Sequence, residues 1–439
     1  MTPQPAGRNL LQNRWMQLFS MVACTVMLSN MQYGWTLFVN PMRNETHWQT
    51  ASIQVAFTIM IFMNTWLSPI EGWFVDRYGP RLVVMLGGLM AGLSWALNSR
   101  AESLQALYIA AVIGGVGVGC VFATCMGTAL KWFPDRRGLA AGLIAAGYGL
   151  GAAITVIPLA HMIQTSGYRH TFLFFGLIQG LSIFVLGTVL IKPIVPAARA
   201  TSRRIQQGAD FTPSQTLRTR VFWVIYAVYL MIGSGGMVMT AQLGPIARDF
   251  GIEKQIVTIL GLSMPVLTLA LSIDNLANGI TRPMCGFLSD KIGRENAMLL
   301  MFGSESIAFL GMALFGREPI AFLVFAGLIF LFWGEIFSLF PAICGDTFGV
   351  KNAAANNGLL YTAKGTCALV VPLANLLVAA TGTWTSVLLV TAASSLLAGL
   401  LAKFLVAPMR TRLLAPRLAG RQAAAGEAAL ALGDSQKAR

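Results

Sequence analysis

Gly72-Trp-Phe-Val-Asp76-Arg77-Tyr-Gly79-Pro-Arg81 recurs 214 residues later as Gly286-Phe-Leu-Ser-Asp290-Lys291-Ile-Gly293-Arg294. In both copies a glycine, an aspartate, a cation and a second glycine stand in matching places, and an arginine follows. Each copy lies between apolar runs long enough to be membrane helices. The ordinary cation excess of loops on one side of a membrane explains one such loop, but not two at equivalent places. The repeat marks a chain built from two related halves. The glycines let helices approach closely and turn tightly. The aspartate can cap a helix start or pair with an arginine of the neighbouring bundle, latching one state. Gly72, Asp76, Arg77, Gly79, Arg81, Asp290, Lys291, Gly293 and Arg294 are therefore candidate gating residues.

Composition agrees with the membrane reading. Of 439 residues, 56% are hydrophobic and only 11% charged, with mean hydropathy +0.67. Soluble domains carry about 25% charged residues, so a soluble enzyme, a disordered chain and a fibrous repeat are excluded. Long apolar runs also exclude an outer-membrane barrel, whose strands alternate in polarity. Hydropathy divides the chain into runs at 15–39, 51–71, 82–98, 105–130, 138–163, 171–191, 221–245, 256–281, 296–315, 319–342, 354–380 and 383–407. We number these spans one to twelve. The first run is too long for a cleavable signal core. Residues 1–14 precede the first six-helix half (15–191), a polar linker covers 192–220, the second half runs over 221–407, and a tail rich in Ala and Arg covers 408–439.

The net charge of +14 follows from topology rather than from nucleic-acid binding. With the N-terminus cytoplasmic, outside loops hold Arg43, Arg100, Arg169, Arg248, Lys254 and Arg317. Arg282 and Lys364 fall in or beside apolar runs, and the other 23 of the 31 cations are cytoplasmic. Both termini are thus expected inside. The six cysteines lie in apolar runs without metal or redox spacing and read as small packing residues. Gly114-Gly115-x-Gly117-x-Gly119 and Gly147-x-Gly149-x-Gly151 lack the strand–turn–helix setting of a nucleotide fingerprint and read as close helix packing. No Walker loop is present, and Asn44-Glu-Thr46 is a glycosylation sequon by letter only.

The repeated loop resembles the signature of the major facilitator superfamily. More narrowly, the chain resembles the oxalate/formate antiporter family in several segments. These are Gln32-Tyr33-Gly-Trp35-Thr-Leu-Phe-Val-Asn40-Pro41, Trp132-Phe-Pro-Asp135-Arg-Arg137-Gly138-Leu-Ala, Ala145-Ala-Gly147-Tyr148-Gly-Leu-Gly151, Asn278-Gly-Ile-Thr-Arg282-Pro283 and Lys364. The likeness runs from about residue 10 to about residue 410. It implies an all-α membrane protein of twelve helices in two six-helix pseudo-symmetric bundles, a central site and alternating access.

Buried ionisable groups in a membrane are functional candidates. Lys364 sits about ten residues into span eleven, where snorkelling to water is difficult. Arg282 lies near the cytoplasmic end of span eight as hydropathy draws it, where snorkelling competes with a binding role. The resemblance implies that Arg282 and Lys364 hold substrate carboxylates, with Arg suited to bidentate contact and Lys acting as a point charge. It also implies an aromatic lining at Tyr33, Phe122, Tyr148, Trp333, Phe337 and Tyr361, and Gln32 can hydrogen-bond a carboxylate. The chain departs from the family at Phe122 and Phe337, where the pattern has Tyr, and at Tyr361, where it has Trp. Asp274, Asn278 and Arg282 share one face of span eight. Carboxylate carriers that couple to protons place an acid one turn before the Arg. Here Asn278 stands there, so Asp274 is either a displaced proton site or a residue near the outer mouth. Glu335 is a third proton-coupling candidate, weighed against a packed acid between helices. Glu305 in span nine is weighed the same way. His47, His161 and His170 all lie at outside ends.

The expected function is alternating-access transport of small organic anions, with proton-coupled monocarboxylate uptake slightly ahead. An oxalate/formate-type antiporter is the alternative, and a transporter-like receptor is the reading from another class. No His, Asp or Cys cluster of a membrane enzyme is seen. No cofactor, metal or nucleic acid is expected. The partners are the anion and membrane lipids, and the setting is a monomer in a bacterial cytoplasmic membrane.

Overall fold

In lipid every backbone N–H and C=O must be paired within the chain, so apolar runs of this length fold as helices. The computed structural model describes residues 12–192, 210–259, 262–367 and 369–415. Most of the expected N-terminal segment, linker and tail lies outside the described residues.

Helices cover all twelve runs. Arg14–Tyr33 and Trp35–Thr46 form span one, Thr50–Trp66 and Ser68–Tyr78 span two, Pro80–Ser99 span three and Leu104–Trp132 span four. Arg137–Val189 holds spans five and six, joined at Gly167. Arg220–Asp249, Val266–Ile292 and Arg294–Phe315 are spans seven to nine. Pro319–Trp333 with Ile336–Phe348, Ala353–Cys367 with Val370–Thr381, and the helix from Trp384 complete spans ten to twelve. Short polar residues start several of them: Ser103 accepts from Ala106 N and Thr219 from Phe222 N, each satisfying a free helix-end donor. The repeated loops turn at Gly79 (φ 90°) and Gly293 (φ 94°), a left-handed conformation that side chains resist. The duplicated signature thus makes the same turn twice.

Span eight departs from expectation. Its run begins as two antiparallel strands, Ile256–Ile259 and Leu262–Pro265, with Ile256 opposite Pro265. The helix starts only at Val266 and continues to Ile292. Arg282 is therefore ten residues, about 15 Å, short of the helix end, and not near it as hydropathy suggested.

Among the described residues seven helices are long and apolar enough to cross a bilayer, and the bent pair Ser52–Trp66 and Ser68–Tyr78 makes an eighth span, broken by 47°. The four expected spans outside that count are one, five, eight and eleven. They carry Gln32 and Tyr33, Tyr148, Arg282, and Lys364. Polar residues lower the apolarity of spans one and eight, and span eleven is interrupted after Cys367. Large side chains such as Ile109, Leu181, Ile307 and Phe404 are more than half exposed, as a lipid-facing surface requires.

Candidate substrate-binding site

Lys364 and Arg282 are 3% and 2% exposed, too little for either head to reach water by snorkelling. They enter from different helices and converge on one ring. The Arg282 guanidinium lies 4.6 Å, and the Lys364 ammonium 5.5 Å, from the centre of Phe337. Arg282 donates Nε and Nη2 to Asn278 Oδ1 at 3.2 and 3.1 Å, and Nη1 to the Ala145 carbonyl at 2.5 Å. Lys364 Nζ donates to Tyr361 Oη at 3.0 Å and reaches Gln32 Oε1 at 3.5 Å. Among the described residues no carboxylate lies within 4 Å of either cation. Two buried cationic side chains thus meet at one aromatic ring, with no carboxylate among the described residues in reach of either.

The expected aromatic wall assembles from both halves. Tyr148 donates to Gln32 Oε1 at 3.0 Å and meets Tyr33 edge-on at 5.7 Å. Phe122 bridges the halves, 5.2 Å from Tyr148 and 5.4 Å from Tyr361. Trp333 stands edge-on to Phe337 at 5.8 Å, and its indole N–H has no partner. Phe122, Phe337 and Tyr361 line a void of about one water's volume. Two glycines make room for this arrangement. A methyl group on Gly149 would stand 2.8 Å from Arg282 Nη1, and one on Gly236 would collide with the Trp333 indole. Neither was singled out from sequence, because a glycine run reads uniformly as packing. In the same run Gly147 and Gly151 do pack on span one, against Thr25 and Val26.

Asp274 is 3% exposed and two turns from Arg282, and neither oxygen has a partner. Asn278 occupies the place beside Arg282, so Asp274 does not neutralise that cation. Glu335 is fully buried at the break in span ten, behind Trp333 and Phe337, and also lacks a partner. Glu71, which no motif marked, is buried and unpartnered against Gly119.

The gating candidates divide. Asp76 takes Lys131 Nζ at 2.6 Å and the Ala355 N–H at 3.0 Å, capping span eleven in the other half. Asp290 accepts from the Gly138 and Leu139 N–H groups at 3.0 Å each, capping span five across the molecule. Arg294 pairs with Asp290 at 2.6 Å and with Asp346 at 2.8 Å, and Arg137 binds the same Asp346 at 2.5 Å. A methyl group on Gly72 would collide with the Ala354 backbone, and Gly79 and Gly293 make the turns. Arg77 instead stacks on Trp73 and Tyr78, 5.3 and 5.7 Å away, and Lys291 lies 4.3 Å over Phe287. Arg81 is exposed and makes no ion pair among the described residues. Lys131, Arg137 and Asp346 complete these ion pairs, and the sequence did not single them out for it, because their partners are distant in the chain.

The helices fall into two similar halves joined crosswise by caps and ion pairs, with two buried cations among aromatics drawn from both halves. The protein is a membrane transporter and not an enzyme. The chain belongs to the major facilitator superfamily, whose family description matches residues 20–264 and 253–433. It is 35% identical to the oxalate:formate antiporter of Oxalobacter formigenes over 93% of this chain and 94% of that protein. It is 28% identical to human monocarboxylate transporter 11 over 58% of this chain and 51% of that protein. Among solved structures, the Escherichia coli fucose:proton symporter FucP matches with TM-score 0.64 and 15% identity, over 89% of this chain and 98% of that one. The proton:xylose symporter XylE matches with TM-score 0.65 and 13% identity, over 90% and 96%. These structures share the fold: an all-α membrane protein of two six-helix bundles. The sequence relatives support transport of small organic anions.

Proposed function

We propose that the chain exchanges small carboxylate anions, a dicarboxylate against a monocarboxylate, by alternating access. The observation that carries this reading is the pair of buried cations, Arg282 and Lys364, flanking Phe337 with no acid between them. A buried charge without a partner is costly, from a few kcal/mol upward. Two of them make the empty cavity costly to carry across the membrane, and an anion offsets that cost. Reorientation with an anion bound is exchange. Sequence alone leaned toward proton-coupled monocarboxylate uptake, and that lean required Asp274 to lower the charge at Arg282. With Asn278 in that place the cavity keeps two positive charges, which suits a dianion such as oxalate. The unpartnered Asp274 keeps uptake with a proton as the second reading. The 35% identical relative is named an oxalate:formate antiporter, which agrees with the first. We further propose a monomer with the latched, cation-rich face and both termini in the cytoplasm.

Proteoliposomes test the proposal. Labelled oxalate is expected to enter liposomes loaded with formate or oxalate much faster than anion-free ones, and Arg282→Gln or Lys364→Gln is expected to abolish the exchange. Equal uptake into anion-free liposomes, driven by acid outside, would overturn it in favour of proton-coupled uptake.

A further inference from the structure

Behind the Trp333–Phe337 wall, the second half encloses polar atoms that the anion site does not use. Glu305 of span nine and Glu335 of span ten are both fully buried, and none of their four carboxyl oxygens has a hydrogen-bond partner. The two acids lie within electrostatic reach of each other. Ser395 of span twelve, also fully buried, stands close enough to influence the Glu305 carboxyl, yet its hydroxyl is outside hydrogen-bond geometry with any group. Cys285 of span eight is the other titratable group facing Glu335. No Lys, Arg or His among the described residues pairs with either acid. Four helices thus bring two acids, a hydroxyl and a thiol together, the Cys285 thiol lying 3.6 Å from Met301 Sδ.

Two ionised carboxylates cannot share such a place without a cation. We propose that Glu305 and Glu335 form a proton-binding site that is separate from the anion site and coupled to it. The coupling runs through span ten. Glu335 occupies the break between Pro319–Trp333 and Ile336–Phe348, and its carbonyl accepts from Ser338 N at 2.9 Å and Leu339 N at 2.8 Å. Gly334, beside it, packs on Asn278, which holds Arg282. Trp333 and Phe337 flank the break on the cavity side. An anion that draws Arg282 away from Asn278, or shifts Phe337, therefore moves the backbone that carries Glu335. This link rests on the anion-exchange reading; the proton site itself does not.

Two measurements on the purified full-length chain separate the parts. In detergent, infrared spectra of wild type are expected to contain a carboxylic-acid C=O band that diminishes in Glu335→Gln and in Glu305→Gln, whatever the substrate proves to be. In proteoliposomes, anion exchange by wild type is expected to vary with pH. Glu335→Gln should exchange anions with that dependence lost, and Glu335→Asp should restore it. A band unchanged in both Gln variants overturns the site. A pH profile of exchange in both Gln variants that superimposes on that of wild type overturns the coupling, with the antiporter reading left intact.

Discussion

Phe337 has both cations within 5.5 Å of its ring centre, and such a contact contributes about 2 kcal/mol when desolvated. That support matters most when no anion is present to neutralise Arg282 and Lys364. Phe337→Leu is therefore expected to destabilise the anion-free protein more than the loaded one. The rise in melting temperature on adding oxalate should be larger in Phe337→Leu than in wild type; an equal or smaller rise refutes the role. At this scale the sequence was informative where chemistry is unusual. A lysine in the middle of an apolar run has few structural excuses, and both cations and the aromatics around them lie together as the resemblance implied. Gly149 and Gly236 were illegible, because what a glycine leaves room for depends on a helix far away in the chain. Glu71 escaped notice because one acid beside a basic loop looks like part of that loop.

Helices, and the caps that join them, set the state of the molecule. Asp76 and Asp290 each place a carboxylate on the free N–H groups of a helix start, where the helix dipole favours negative charge. Loss of such a cap costs about 0.5–2 kcal/mol. Asp290 takes two N–H groups and Arg294, whereas Asp76 takes one N–H group and Lys131. Asp290→Ala should therefore open the latch more than Asp76→Ala. In a chain whose native cysteines are replaced, a cysteine placed at the buried position Thr347 is expected to react with a maleimide about tenfold faster for each ~1.4 kcal/mol lost. Equal, unchanged rates in both variants would contradict the latch. Hydropathy found the helices but not their breaks. In the run from Ile256 an apolar strand and an apolar helix look alike, and only Pro265 hints at the change. Arg282 was drawn at a helix end for another reason: the apolar run stops at 281, whereas the helix continues through the polar signature to Ile292.

For the whole molecule, the duplication was the most legible feature, since two loops with one pattern need only be compared. The crosswise latching was not, because no repeat says which half holds which. Span two of the first half caps span eleven, and span eight of the second caps span five. Both latches lie at the end with the cation-rich loops. Charge asymmetry predicts that this end faces the cytoplasm. Reporter fusions after Arg220 should be active only if they work in the cytoplasm, and a signal from a reporter that works only outside the cell would reverse the orientation.

The ionisable residues inside spans eight and eleven have a consequence for how the chain is made. A membrane insertion machinery judges each segment as it emerges, and a central Arg, Lys or Asp costs about 2.5–3.5 kcal/mol on that scale. Spans eight and eleven, with Asp274 and Arg282 in the first and Lys364 in the second, would often be refused alone. Each is followed at once by a span that passes: nine and twelve. We expect the site-bearing segments to enter the bilayer as hairpins with their successors. Chains truncated just after Ile292 should leave span eight uninserted, and extension through Phe315 should restore it, as protease protection of the nascent chain would reveal. The residues proposed to recognise an anion thus reach the membrane interior only with help from neighbouring spans.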